Sequence, residues 1–359
     1  MAQKNALRAL FDRLRRGRAA GGGQDATFGP EQEAYVLSRA YVPEPIPCLM
    51  TGISGAQPSL FQDYLCFGRD NWLIFVGYPL AGEFSMAECA AAVVQARAAH
   101  RPQVLWFIGP EIPPELKESC CDRRSDVYYR LDLPAHIKPG LRREVRVAAA
   151  KLKVTASRSF AAEHIALTDE LLSRVQLSPM VATLYRAMPD YLAGSASAVV
   201  LEARAAGGQL AAFTVVEQAA ASFDAYVLGA YSQRHYVPHA SDLLFAKMVE
   251  RAEAAGKRWL DLGLGVNAGI RRFKEKWGGA PALAMRPGAP RWEAEARTPG
   301  LPGCAARGRS ACRLSSTRAG WPGRRLRARG PRRSRARSPR PSTAPDGAGR
   351  CSCRCPGRR

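Results

Sequence analysis

Apolar and polar positions divide residues 31–290 into two blocks that repeat one order of elements. In the first block, apolar runs at 60–67 and 72–78 flank the polar turn Arg69-Asp70-Asn71, which predicts a hairpin. A helix over 86–99 follows, then a strand at 104–108, a proline-rich break at 110–114 and a strand at 127–133. The second block is longer. Helices near 141–152, 162–175 and 179–192 lead into strands at 198–204, 209–216 and 223–230, and Gly207-Gly208 predicts a tight antiparallel turn between the first two. Leu244, Met248, Ala252 and Ala255 form one stripe of a helix over 242–255, with Ser241 as its expected cap and Gly256 as a left-handed stop. A strand at 259–262 and a short helix ending at Trp277 complete the block. This grammar predicts an α+β protein: two mixed sheets in tandem, at 31–135 and 136–290, with helices on both faces.

The flanks have a different character. Residues 1–30 combine a basic helix, with Leu7, Leu10, Phe11 and Leu14 on one face, and the linker Gly21-Gly22-Gly23. The helix reads as frayed, or as a peripheral contact with an anionic membrane or RNA. No apolar run is long enough to span a membrane. Cys48, Cys66, Cys89, Cys120 and Cys121 show no Cys-x-x-Cys spacing, so reduced thiols and a cytoplasmic location are expected, with no metal.

From 297 to 359 the chain uses only ten residue types, including eighteen Arg and a single acid, Asp346. This stretch supplies most of the formal charge of +22. It cannot bury enough apolar surface to offset chain entropy, so 291–359 reads as a disordered tail rich in Arg, Pro and Gly. Its arginines could neutralise nucleic-acid phosphates, and Cys351, Cys353 and Cys355 could take a soft metal. The abrupt change to residues with GC-rich codons instead favours a frame-shifted translation, which would remove the strand expected to close the second sheet from 281–285 onward.

The segment Gly263-Leu264-Gly265-Val266-Asn267-Ala268 fits a dinucleotide fingerprint, but it lies at the end of the foldable chain and lacks the acidic residue about 20 positions on. Asn267 can cap the helix that follows, in which Ile270, Phe273 and Trp277 share a face. Lys274 stands at the edge of that stripe, placed either to snorkel or to reach into a cleft. The basic run Arg142-Arg143-Glu144-Val145-Arg146, with Lys151 and Lys153, is either a solvated face or a contact for phosphates. His164, unpaired at metal spacing, reads as surface or core polar.

The order of elements around Ala240-Ser241-Asp242, Asp261-Leu262-Gly263, Phe273-Lys274 and Trp277-Gly278-Gly279 resembles the C-terminal half of GNAT-superfamily acyltransferases, and within them the FemAB-like branch with two GNAT-like domains in tandem. The resemblance is strongest over 195–285. It implies transfer of an acyl group from acyl-CoA to a small-molecule or peptide amine, or from an aminoacyl-tRNA, and places Phe273 and Lys274 near the donor. A non-catalytic binding module is the third reading. Where ordinary GNATs carry a glycine-bearing pyrophosphate loop, residues 231–240 offer Gln233 and Arg234 but no glycine. Either Arg234 and His239 hold the pyrophosphate or the donor is not CoA. The expected catalytic set is Lys274 as oxyanion partner, His239 (or His235) as base and Tyr231 (or Tyr236) as proton donor. The expected donor-binding set is Phe273, Arg234, Gln233, Asn267 and Arg271.

Overall fold

The computed structural model describes residues 28–117, 120–123, 125–175 and 179–290, which belong to one compact unit. The helix expected in the basic N-terminal segment and the disorder expected of the arginine-rich stretch lie outside the described residues.

The first half opens with helices α1 (Pro30–Arg39) and α2 (Pro47–Ser54), neither expected from the apolar pattern. Strands β1 (Gln57–Phe61), β2 (Tyr64–Arg69) and β3 (Trp72–Val76) form an antiparallel meander. The run at 60–67 is therefore two strands, not one. Gln62 takes φ 54, so a turn without glycine interrupts it. Helix α3 (Met86–His100) carries the chain back to β4 (Val104–Gly109), parallel to β3. Ser85 caps α3 by accepting the Glu88 amide, and Cys89, Ala92, Val93 and Ala96 bury its inner face. Short α4 (Pro114–Lys117) and β5 (Cys120–Arg123) precede β6 (Asp126–Asp132).

In the second half, α5 (Pro139–Ala149) ends three residues before the predicted 152, and Leu152–Ser157 form strand β7. Helices α6 (Ala162–Arg174) and α7 (Pro179–Gly194) follow, then strands β8 (Ala198–Ala205), β9 (Leu210–Glu217) and β10 (Phe223–Tyr231). Gly208, at φ +84, makes the tight β8–β9 turn. Helix α8 (Ala240–Ala254) packs its buried Leu244, Met248 and Ala252 on this sheet. Its cap is His239 in a left-handed conformation rather than Ser241, while Gly256 gives the expected left-handed stop. Strand β11 (Trp259–Leu264), helix α9 (Ala268–Lys276) and strand β12 (Ala280–Pro290) complete the described chain.

Tertiary structure decides where two strands go. β6, which the sequence places in the first block, lies in the second sheet between β12 and β11, antiparallel to both. The closing strand is present: Ala280–Met285 pair with β6, and Arg286–Gly288 continue onto β4 of the first sheet. The strand order is thus continuous, β1-β2-β3-β4-β12-β6-β11-β10-β9-β8-β7. Tyr78 fastens this join by donating to the Ala284 carbonyl at 2.7 Å. Among the described residues, no helix is long and apolar enough to cross a membrane.

Candidate active site

Strands β10 and β11 run parallel but pair only over Phe223–Ala225 and Trp259–Asp261. Beyond that point neither strand hydrogen-bonds the other, and both are irregular at the same level. The β9 ladder moves from Tyr226↔Val216 to Leu228↔Val215, so Val227 is skipped. The β6 ladder moves from Asp261↔Arg130 to Leu264↔Tyr128, so β11 carries one extra residue. Such bulges leave backbone groups outside the ladder and re-aim the strand. Together they leave a wedge between residues 226–231 and 262–264.

Lys274 projects from α9 to this wedge. Its side chain is 4% exposed, and its ammonium donates to the Leu264 carbonyl at 2.6 Å and lies 5.5 Å from the centre of the Tyr129 ring. A Cβ at Gly263 would stand 3.7 Å from the Tyr226 carbonyl and 3.9 Å from Lys274 Nζ, so this glycine marks where both strands and the lysine converge. Burial lowers the Lys274 pKa to about 8, against the opposing pull of the Asp261 and Asp126 carboxylates. Asp261, 3% exposed, has its carboxyl raised to about 7 by burial, partly countered by the Gly263 amide, which donates to Oδ1 at 2.8 Å.

The first half of the chain contributes to the same locus. Glu44, between α1 and α2, accepts from the Tyr128 hydroxyl, and burial raises its carboxyl. Its other oxygen, Oε2, is buried with no hydrogen-bond partner among the described residues. Asp126 fixes the turn after β11, accepting from the Gly265 and Val266 amides at 3.1 and 3.0 Å. Val266 there has φ 48.

The remaining expected site residues are distributed differently. His239 Nδ1 lies 3.3 Å from Asp242 and 3.4 Å from Glu144, and Lys276 reaches the same two carboxylates at 2.5 and 3.3 Å. Trp277 Nε1 also donates to Asp242 at 3.1 Å. Glu144, His239 and Asp242 have metal-ligand chemistry and proximity. The Lys276 ammonium already supplies the positive charge there, so the cluster acts as a latch joining α5, α8 and α9. Tyr231 is 41% exposed, under the Arg174 guanidinium at 4.4 Å and beside Tyr236. The Gln233 amide donates to Glu170 at 2.5 Å, and Arg234 is exposed. No described contact links these loop residues to Lys274.

Within α9, Asn267 caps the helix by accepting the Ile270 amide at 3.0 Å. Phe273 packs edge-on against Phe245 in the core, and Arg271 is exposed with its stem over Gly265. His164 is a core polar group, 1% exposed, between Phe160 and Phe213, with Nε2 3.2 Å from Glu202. Asp261, Glu44 and Asp126 were missed as site residues. The spacing Asp261-x-Gly263 after a strand was a readable signal for the first; the other two become neighbours only through folding.

No protein-family model matches the chain, and no curated protein matches it. The crystal structure of FemX is similar with a TM-score of 0.50 at 12% identity, covering 71% of this chain and 94% of that one. The fold is like that of FemX. A conserved protein of unknown function from Bacteroides thetaiotaomicron VPI-5482 is similar with a TM-score of 0.50 at 12% identity, covering 72% of this chain and 91% of that one. L-PGS from Bacillus licheniformis gives 0.47 at 17% identity, over 77% of this chain and 96% of that one. At these identities the likeness is one of fold.

Proposed function

We propose that the protein transfers an acyl group to an amine, with the acyl carbonyl held in the wedge between β10 and β11 and Lys274 beside it. The observation that carries this reading is a buried, hydrogen-bonded ammonium at the point where two parallel strands part. The amine nitrogen attacks the carbonyl carbon and forms the C–N bond. The carbonyl oxygen becomes an oxyanion facing the ammonium, and the C–S or C–O bond to the leaving group then breaks. The proton released by the amine ends on the departing thiolate or alkoxide. Charge stabilisation in a water-poor site is worth more than in solvent, which suits a lysine that is 4% exposed.

Acyl-CoA is the proposed donor, bound with Arg234 and Gln233 toward its phosphates. Aminoacyl-tRNA is the second reading, favoured because the loop before α8, residues 231–240, carries no glycine to bring backbone amides against a pyrophosphate.

Thermal unfolding of the full chain with acetyl-CoA, longer acyl-CoAs, or tRNA at two salt concentrations tests both donors. A ligand at 100 times its dissociation constant adds about 2.7 kcal/mol to stability. A CoA-dependent shift lost in Lys274→Ala supports the first reading; a salt-sensitive tRNA shift supports the second. A cooperatively folded sample that responds to none of them overturns the transferase reading for these donors.

A further inference from the structure

We infer that Asp261 is a positioning residue for Lys274: its carboxylate closes the turn that bulges β11 out of both neighbouring ladders, and it supplies the counter-charge that holds the ammonium at the wedge. The inference rests on the wedge as the acyl site but concerns a residue that the acyl-transfer scheme leaves without a role.

Asp261 is the last residue that β11 shares with both neighbours, opposite Ala225 of β10 and Arg130 of β6. Pairing with β6 resumes at Leu264↔Tyr128, three residues on in β11 against two in β6. The extra residue is accommodated because Asp261 Oδ1 accepts the Gly263 amide at 2.8 Å, a side-chain turn two residues long. Gly263 is thereby held at φ +70. A Cβ there would meet nothing closer than 3.7 Å, so the left-handed backbone, not space, requires glycine. The bulge in turn presents the Leu264 carbonyl to Lys274 Nζ. Sequence, turn, strand bulge and ammonium position form one chain of dependence that starts at one carboxylate.

The charged and titratable groups around this pair come from several elements. Glu44 approaches from the α1–α2 connection, Asp126, Tyr128, Tyr129 and Arg130 come from β6, and Tyr78 follows β3. Asp261 and Asp126 are the acids whose charge acts on Lys274. Glu44 acts on Asp261 and raises it. Asp261→Asn keeps an oxygen for the Gly263 amide and removes only the charge, whereas Asp261→Ala removes both.

The experiment is a pH titration of the full-length protein after reductive methylation with carbon-13, following the assigned dimethyl-Lys274 resonance by NMR. In the unsubstituted protein the resonance should show two inflections, its own near 8 and one from Asp261 near 7. In Asp261→Asn the upper midpoint should fall by about one unit, the effect of losing a nearby opposite charge, and the lower inflection should vanish. Glu44→Gln should leave the Lys274 midpoint in place or raise it; general loosening of the fold would also raise it by relieving burial, so the fall expected in Asp261→Asn is the direction that loosening does not give. Faster exchange of the Gly263 amide in Asp261→Ala than in Asp261→Asn would register the turn. A single inflection in the unsubstituted protein, or a Lys274 midpoint unmoved in Asp261→Asn, would overturn the inference. Because the unsubstituted titration needs no variant, misfolding of either substitution leaves the test intact. Absence of acyl transfer would defeat the proposed function while the titration still decided the role of Asp261.

Discussion

Replacing Lys274 by Met should make the protein more stable near neutral pH while removing the ammonium from the wedge. Burial lowers this group from 10.5 to about 8 in the folded chain. Because the folded value is depressed, the unfolded chain binds more proton between those two values, so stability rises as pH climbs from about 8 toward 10.5. At pH 7 the charged lysine therefore destabilises the fold by roughly 3 kcal/mol, and at pH 9.5 by roughly 1 kcal/mol. Methionine removes this term and keeps most of the apolar stem. It also frees the Leu264 carbonyl, now bonded at 2.6 Å, which offsets about 1–2 kcal/mol. Asp261, raised to about 7, can take up a proton when its counter-charge goes, so no bare charge need remain. The expected net gain is about 1–2 kcal/mol at pH 7 and about zero at pH 9.5. Urea unfolding of both proteins at the two pH values measures this as a shift in midpoint at constant slope. A variant less stable at pH 7, or a gain that persists unchanged at pH 9.5, would refute the view that the ammonium is held in the wedge at the expense of stability.

If the transfer reaction requires an ionised Asp261 and a protonated Lys274, its rate should rise through about 7 and fall through about 8, a narrow bell visible in a pH series of initial rates. Gly263→Ala should destabilise the chain by about 1 kcal/mol through its left-handed backbone alone, read as a lower thermal midpoint, with acyl transfer falling as the bulge relaxes. Tyr78→Phe should remove about 1 kcal/mol by freeing the Ala284 carbonyl of β12, measured by urea unfolding, and leave the Lys274 titration unchanged. His164 is buried and its pKa is lowered chiefly by desolvation, against the raising effect of Glu202. Its folded value lies below the unfolded 6.5, so the stability it contributes is present above that value and is lost as pH falls below it. His164→Phe should flatten this acid side of a stability-versus-pH curve.

Local chemistry in the sequence determined most of the elements and their types. The Gly207-Gly208 turn, the Asn267 cap, the Gly256 stop and the stripe Leu244-Met248-Ala252 each act within a few residues, so their outcome is legible without neighbours. The edge position of Lys274 on its helix was legible for the same reason. Strand β7 was not, because Lys153, Ala156 and Ser157 carry little strand signal and the β8 ladder, from Leu152↔Ala205 to Ser157↔Val200, holds them extended. Nor was the cluster around His239, whose partners Glu144 and Asp242 come from α5 and α8 and are shared with Lys276 of α9.

Only the tertiary structure decided that β6 joins the second sheet and that β12 crosses from one sheet to the other, since the partner of a strand lies far away in sequence. It alone brought Glu44, Asp126, Asp261 and Lys274 to one place. Those groups span more than 200 positions of the chain. Their shifted ionisation arises from burial and from one another's fields, and neither exists until the halves close around them.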